Sequence, residues 1–179
     1  MARARHFPHD QGFTANWRGW PPHMVPAERE LMYWWLSRPT TTVDEIWYDV
    51  PLDGEDPRTG TYPAAAEILN PTELRTWYSL TARRADAIAR TGPYYTLIEL
   101  RDTAGPQTLG EILLYQHLAT TQHAELQWRT PTIIARNYSN GILTAARAQK
   151  IQAINAPSDL YDPAKLETRY TPTVSGAAE

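Results

Sequence analysis

Asp86 and Glu99 stand at equal distances on either side of a Gly92-Pro93 dipeptide. Around them Leu97 and Glu99 alternate with Ile98 and Leu100, which is the period of a strand. With a turn centred on Gly92-Pro93, antiparallel pairing sets Asp86 directly opposite Glu99. Directly opposed side chains on one face have Cβ atoms roughly 4.5–5.5 Å apart. Two carboxylates that close repel unless a cation or a proton lies between them. Arg101 follows Glu99 by two residues. A metal site, a held proton or an ion-pair network are the chemistries such a group allows.

The elements that must position these residues are legible in the pattern. After the hairpin, Gly105-Pro106 opens a helix over 107–121, QTLGEILLYQHLATT. Leu109, Ile112, Leu113 and Gln116 share one of its faces, and Glu111, Tyr115 and Leu118 lie on the adjoining one. Glu111 and Tyr115 are four apart and therefore neighbours. Upstream, Pro26 suits the first position of a helix running through AERELMYWWLSR, with Leu31, Trp34 and Trp35 as its apolar stripe. Glu28 and Glu30 lie in its first turn, where the helix dipole favours acids. TTTVDEIWYDVPL reads as a strand with Ile46, Tyr48, Val50 and Leu52 on one face. The turn-rich DGEDPRTGTYP follows, its acids Asp53, Glu55 and Asp56 lacking the ligand ladder of a calcium loop. Asn70 is the expected cap of a short helix that turns Leu74, Trp77 and Tyr78 inward. Downstream, TPTIIARNY reads as a strand, SNGILTAARAQ as a helix and KIQAIN as a last strand. The sum is an α/β domain with a mixed central sheet flanked by helices.

The hairpin resembles the core of the PD-(D/E)xK nuclease-like superfamily, over roughly residues 26–155. In that family an Asp and a Glu-x-Lys hold magnesium, and the next helix often carries a Gln with a Tyr four residues on. The corresponding residues here are Asp86, Glu99-Leu100-Arg101, Glu111 and Tyr115, so Arg stands where Lys is usual and Glu where Gln is usual. The resemblance implies a catalytic set of Asp86, Glu99, Arg101, Glu111 and Tyr115, with Asp86 and Glu99 as magnesium ligands. It also implies an acid from the first helix near the metal, Glu30 being the nearest candidate; both first-turn acids have an ordinary structural reading as well. A magnesium ion would stabilise charge on a phosphate and activate water. A buried lysine shifts its pKa readily, whereas Arg101 stays charged and cannot take a proton. It is left to clamp a phosphate or to pair with Glu99 or Asp86, and Glu111 to strengthen the site or to pair with Arg84 or Arg101.

Composition bounds the rest. The chain has 179 residues, 42% hydrophobic and 21% charged, enough for one globular domain. A net charge of −3 predicts no bulk attraction to nucleic acid. There is no cysteine, hence no disulfide and no thiolate metal site. No apolar run approaches the roughly 20 residues of a membrane span, and the N-terminus lacks the pattern of a secretory signal, so the cytoplasm is the default. Fifteen prolines and seven tryptophans are unusual. Residues 1–25 and 156–179 show no period and read as a Pro- and aromatic-rich arm and a tail around a 26–155 domain that carries a 53–80 insertion. An arm ordered by neighbouring subunits and an arm packed on its own body are equally open readings.

His6, His9, His23, His117 and His123 are scattered, the serines lie in no nucleophile elbow, and no phosphate loop or dinucleotide fingerprint occurs. Arg83, Arg84, Arg90, Arg101, Arg136, Arg147 and Lys150 are expected around the site, interspersed with acids. Two functions stand. One is an assembly protein on a catalytically silent nuclease-like domain, laced to other subunits by its arms; the resemblance suggests a tailed-phage particle as one setting. The other is a magnesium-dependent nuclease acting on DNA or RNA.

Overall fold

The computed structural model describes residues 12–14, 24–53, 70, 73 and 82–160. Pro26 opens helix α1 (Pro26–Ser37), at the position where its fixed φ helps and its missing N–H costs nothing. Strands β1 (Glu45–Asp53), β2 (Arg83–Thr91) and β3 (Tyr94–Ala104) follow. Helix α2 (Pro106–Gln122), the two-residue β4 (Gln127–Trp128), β5 (Thr132–Tyr138), α3 (Ile142–Ala148) and β6 (Gln152–Asn155) complete the described elements.

Gly92-Pro93 forms the hairpin turn expected from sequence. Gly92 has φ 59, a left-handed value that costs glycine no Cβ clash. From Thr91 opposite Tyr94, the register runs without a slip to Ala87 opposite Ile98. β1 pairs antiparallel with β2 on the other side. β5 lies parallel to β3, and β6 parallel to β5, so α2 and α3 are the crossovers that parallel pairing demands. The sheet order is β1–β2–β3–β5–β6, with β4 beside the start of β3. This is the α/β fold with a mixed central sheet that the sequence predicts.

Each sheet face carries its own core. Leu31, Met32 and Leu36 of α1 pack with Ile46, Tyr48, Ile98, Leu100 and Ile134. Ile112 and Ala119 of α2 and Ala146 of α3 pack with Ile88, Leu97, Ile133 and Ala135 on the opposite face. Strand β3 is therefore covered on both sides, and Leu97, Ile98, Glu99 and Leu100 are all buried. The apolar residues of β1 divide between the two cores: Ile46 and Tyr48 join the α1 side, Val50 and Leu52 the α2 side. Asp49 lies between the pairs at φ 51, a conformation that Asp tolerates better than most residues. Arg84 Nη1 donates to both the carbonyl and the carboxylate of Asp49, at 2.8 and 2.7 Å.

The ends of the domain are also defined. Phe13 pairs with Ile46 in a single antiparallel bridge, N–H to O 2.7 Å one way and 2.8 Å the other. Its ring lies 5.7 Å from that of Tyr48. Met24 is buried against the α1 core. Two residues of the sequence-defined arm thus pack on the domain itself. At the other end the Ala156 N–H donates to Ala135 O and Leu160 packs against the same core, so ordered packing continues past residue 155. Asn70 does act as a cap: its Oδ1 accepts from the Glu73 N–H at 3.1 Å, and Glu73 Oε2 accepts from the Asn70 N–H at 2.8 Å. The rest of that expected helix lies outside the described residues, as do Glu55 and Asp56, the rings of Phe7, Trp17 and Trp20, and residues 161–179. Among the described residues no helix is long and apolar enough to cross a membrane.

Candidate functional site

Continuing the hairpin register by one residue sets Asp86 opposite Glu99, as the symmetric spacing predicts. The two side chains meet on the face covered by α2. At this point the ladder changes character, because Asp86 Oδ2 accepts the N–H of Leu100 at 2.7 Å. The Arg101 guanidinium lies against both acids. Its Nη1 is 3.1 Å from Asp86 Oδ2, and its Nη2 makes a short contact with Glu99 Oε1. Nη1 also donates to the carbonyl of Leu100 at 2.7 Å, which holds the side chain back along its own strand.

Helix α2 begins directly after β3, so its second turn returns over this group. The Gly105 N–H donates to Thr108 Oγ1 at the helix start, and Thr108 itself is buried. Two turns of that helix then supply Glu111 and Tyr115. Glu111 Oε2 accepts from Arg101 Nη2 at 2.9 Å, while its Oε1 accepts from Gln107 Nε2 at 2.8 Å. A fourth acid comes from the helix on the other face. Glu28 Oε1 is 3.6 Å from Arg101 Nη1, and its Oε2 accepts from the Val25 N–H at 3.1 Å. The first-helix acid at the cluster is therefore Glu28 and not Glu30, which keeps the ordinary structural reading. Glu30 is buried beside Arg29, 3.6 Å away. The signal for Glu28 was present in the sequence: with Pro26 at the first helical position, residue 28 is the one whose carboxylate turns back over the helix start.

The acids are perturbed by their surroundings. Burial pushes the Asp86 carboxyl up to about 7, against the pull of Arg101 and of the Leu100 N–H. Burial and the neighbouring Asp86 push Glu99 up to about 9 against Arg101. Glu99 Oε2 is buried and has no hydrogen-bond partner. Burial opposes the charge on Arg101, but Glu99 and Asp86 more than offset it and raise its pKa above the usual arginine value. Tyr115 is half-buried, and burial with the nearby Glu99 and Glu111 carboxylates pushes its hydroxyl up to about 12.

The donor set of carboxylate oxygens suits a hard cation such as magnesium. Its disposition does not. Asp86 Oδ2, Glu99 Oε1 and Glu111 Oε2 all converge on the guanidinium, which takes the central place. Among the described residues no group of three or more His, Cys, Asp or Glu side chains is arranged to hold a metal ion. Three of the other basic residues expected here rest on acids away from the site. Arg84 sits on Asp49, Arg90 on Glu45 beside the hairpin turn, and Arg136 on Asp102. Arg147 and Lys150 are exposed on and after α3. Of the two pairings open to Glu111, the structure makes the one with Arg101.

Comparison of the chain with protein-family models, with curated proteins and with solved structures finds no match.

Proposed function

We propose that this chain is a structural or assembly protein built on a nuclease-like domain that does not cleave nucleic acid. The observation that carries the reading is the place of Arg101. A permanently charged guanidinium sits among Asp86, Glu99 and Glu111, where an active relative of the resembled family would hold its metal and use a lysine. An ion-pair network of this kind links β2, β3 and α2, and through Glu28 it ties in α1. Other subunits, reached through the terminal segments, are the partners this reading names, and a tailed-phage virion is the setting it favours.

The competing reading is a magnesium-dependent nuclease, and the convergence of the acids on one point is the observation in its favour. A cleavage assay on single- and double-stranded DNA and RNA, with magnesium or manganese, separates the two. The expected result is no cleavage above background. Robust cleavage abolished by Asp86→Ala would reverse the ranking. Arg101→Lys tests the geometry: cleavage gained by that change alone would show a silenced nuclease site.

A further inference from the structure

Helix α1 ends at Ser37 and leaves the sheet face beyond it to a different use. Between the end of α1 and the end of β4 lies a cavity of about 780 Å³. Its floor is made by small side chains on successive strands, Ala89 of β2, Thr96 of β3 and Thr132 of β5. These project from the face opposite to Asp86 and Glu99, toward the hairpin end of the sheet. Small residues in the middle of a packed sheet create a trough that nothing on their own strands can fill. The walls carry Trp35 of α1 and Arg38, the residue after its end, with Trp128 of β4 and Arg129, the residue after it.

The two arginines of this cavity differ from the arginines seated on the strands. Arg84, Arg90, Arg101 and Arg136 each rest on a carboxylate. Arg38 and Arg129 have no carboxylate partner among the described residues. The first lies over the ring of Trp34 at 5.2 Å and the second over that of Tyr94 at 4.2 Å. Stacking holds a guanidinium by its face and leaves its N–H edge free for a ligand. No acidic side chain is among the described residues that line the cavity. Two uncompensated cations in an acid-free concavity attract an anion, and guanidinium matches phosphate in geometry as well as charge. The Thr96 hydroxyl in the floor has no hydrogen-bond partner among the described residues and can serve a polar ligand group, while Trp35 offers an apolar wall. The volume lies within the roughly 300–1,000 Å³ of small-molecule sites.

We infer that this cavity binds a phosphorylated ligand of nucleotide size, its phosphate held by Arg38 and Arg129 and its ring system set against Trp35. The ligand unit can be a free nucleotide or one residue of a single strand. The inference is independent of the Arg101 cluster, which lies on the other face.

Isothermal titration of the full chain with ATP, AMP, inorganic phosphate and an oligothymidylate tests it. ATP or the oligonucleotide should bind at submillimolar concentration. Arg38→Gln and Arg129→Gln should each weaken that binding at least tenfold, with melting temperatures close to that of the parent. Thr96→Leu, which fills the floor without altering charge, should weaken it too. Affinity that rises with strand length and falls steeply with salt assigns the site to a single strand, whereas ATP binding alone assigns it to a free nucleotide. Absence of binding by ATP and oligonucleotide up to several millimolar overturns the inference. So does binding that survives both arginine changes, or inorganic phosphate binding as tightly as ATP.

Discussion

Arg101 has more negative charge around it than one cation can neutralise. Glu28, Asp86, Glu99 and Glu111 all lie within 3.6 Å of its guanidinium. Burial is the main reason the two acids hold protons, and the neighbouring carboxylates add to it, so the Asp86 carboxyl is raised to about 7 and the Glu99 carboxyl to about 9. Both folded-state values exceed those of the unfolded chain, near 4 for ordinary carboxyls. Below about pH 4 both states carry these protons, and the stabilising contribution is complete. Above it the unfolded chain releases them first, so stability falls as pH rises through about 7 and on toward 9. For one proton the slope is about 1.4 kcal/mol per pH unit. Glu99→Gln keeps the shape and removes the titration. Its melting temperature should match the parent near pH 4–5 and exceed it at pH 9. A parent protein that becomes more stable between pH 6 and 9, or a Gln variant with the same profile, would contradict this account.

At the scale of elements, the hairpin does most to place the site, and its turn is the point at which to test it. Gly92 at φ 59 has open space around the position of a Cβ, so a substitution there meets only backbone strain and no clash. Gly92→Ala should cost about 1 kcal/mol, measured by chemical denaturation, and should leave the Asp86–Glu99 pairing intact. This hairpin could be read from the chain because two independent signals agreed, a period of two and a two-residue turn. The same agreement fixed α1 through Pro26 and α2 through Gly105-Pro106. The sequence did not reveal β4, since two residues carry no period. Nor did it show that β1 feeds both cores, because the left-handed Asp49 breaks a pattern that looks uniform on paper. The choice between Glu28 and Glu30 depended on about 200° of rotation around a helix, which a spacing argument resolves only once the first helical residue is known. Sequence spacing also grouped Arg84, Arg90 and Arg136 with the site, whereas each found a closer acid on a neighbouring strand. Tertiary pairing decides such contacts, and it is invisible in local pattern.

For the molecule as a whole, two cores share one sheet, and described residues near both ends of the chain pack on one of them. Phe13 and Met24 belong to the α1-side core. Removing residues 1–11 should therefore leave a folded domain with a single cooperative melting transition close to that of the full chain. If those residues serve partners, the shortened protein should fold yet fail to join its assembly, as read by size-exclusion chromatography with the purified partner subunits. Loss of the cooperative transition would instead assign them to the domain's own stability.

The bridge between Phe13 and Ile46 has a consequence for how this protein behaves in a crowd. β1 is the last strand on its side of the sheet, and among the described residues Phe13 alone pairs with its outer edge. An unguarded strand edge is a template on which a second molecule can add its own strand, the first step toward aggregation. The guard is narrow and rests on Gly12, where a Cβ would lie 2.7 Å from Glu45 Cγ and 2.9 Å from the Trp47 ring. Gly12→Val should lift the segment away while leaving every buried residue in place. The expected outcome is a chain that melts normally when dilute but scatters light increasingly with concentration, because a side chain larger than hydrogen has been set at a sheet edge.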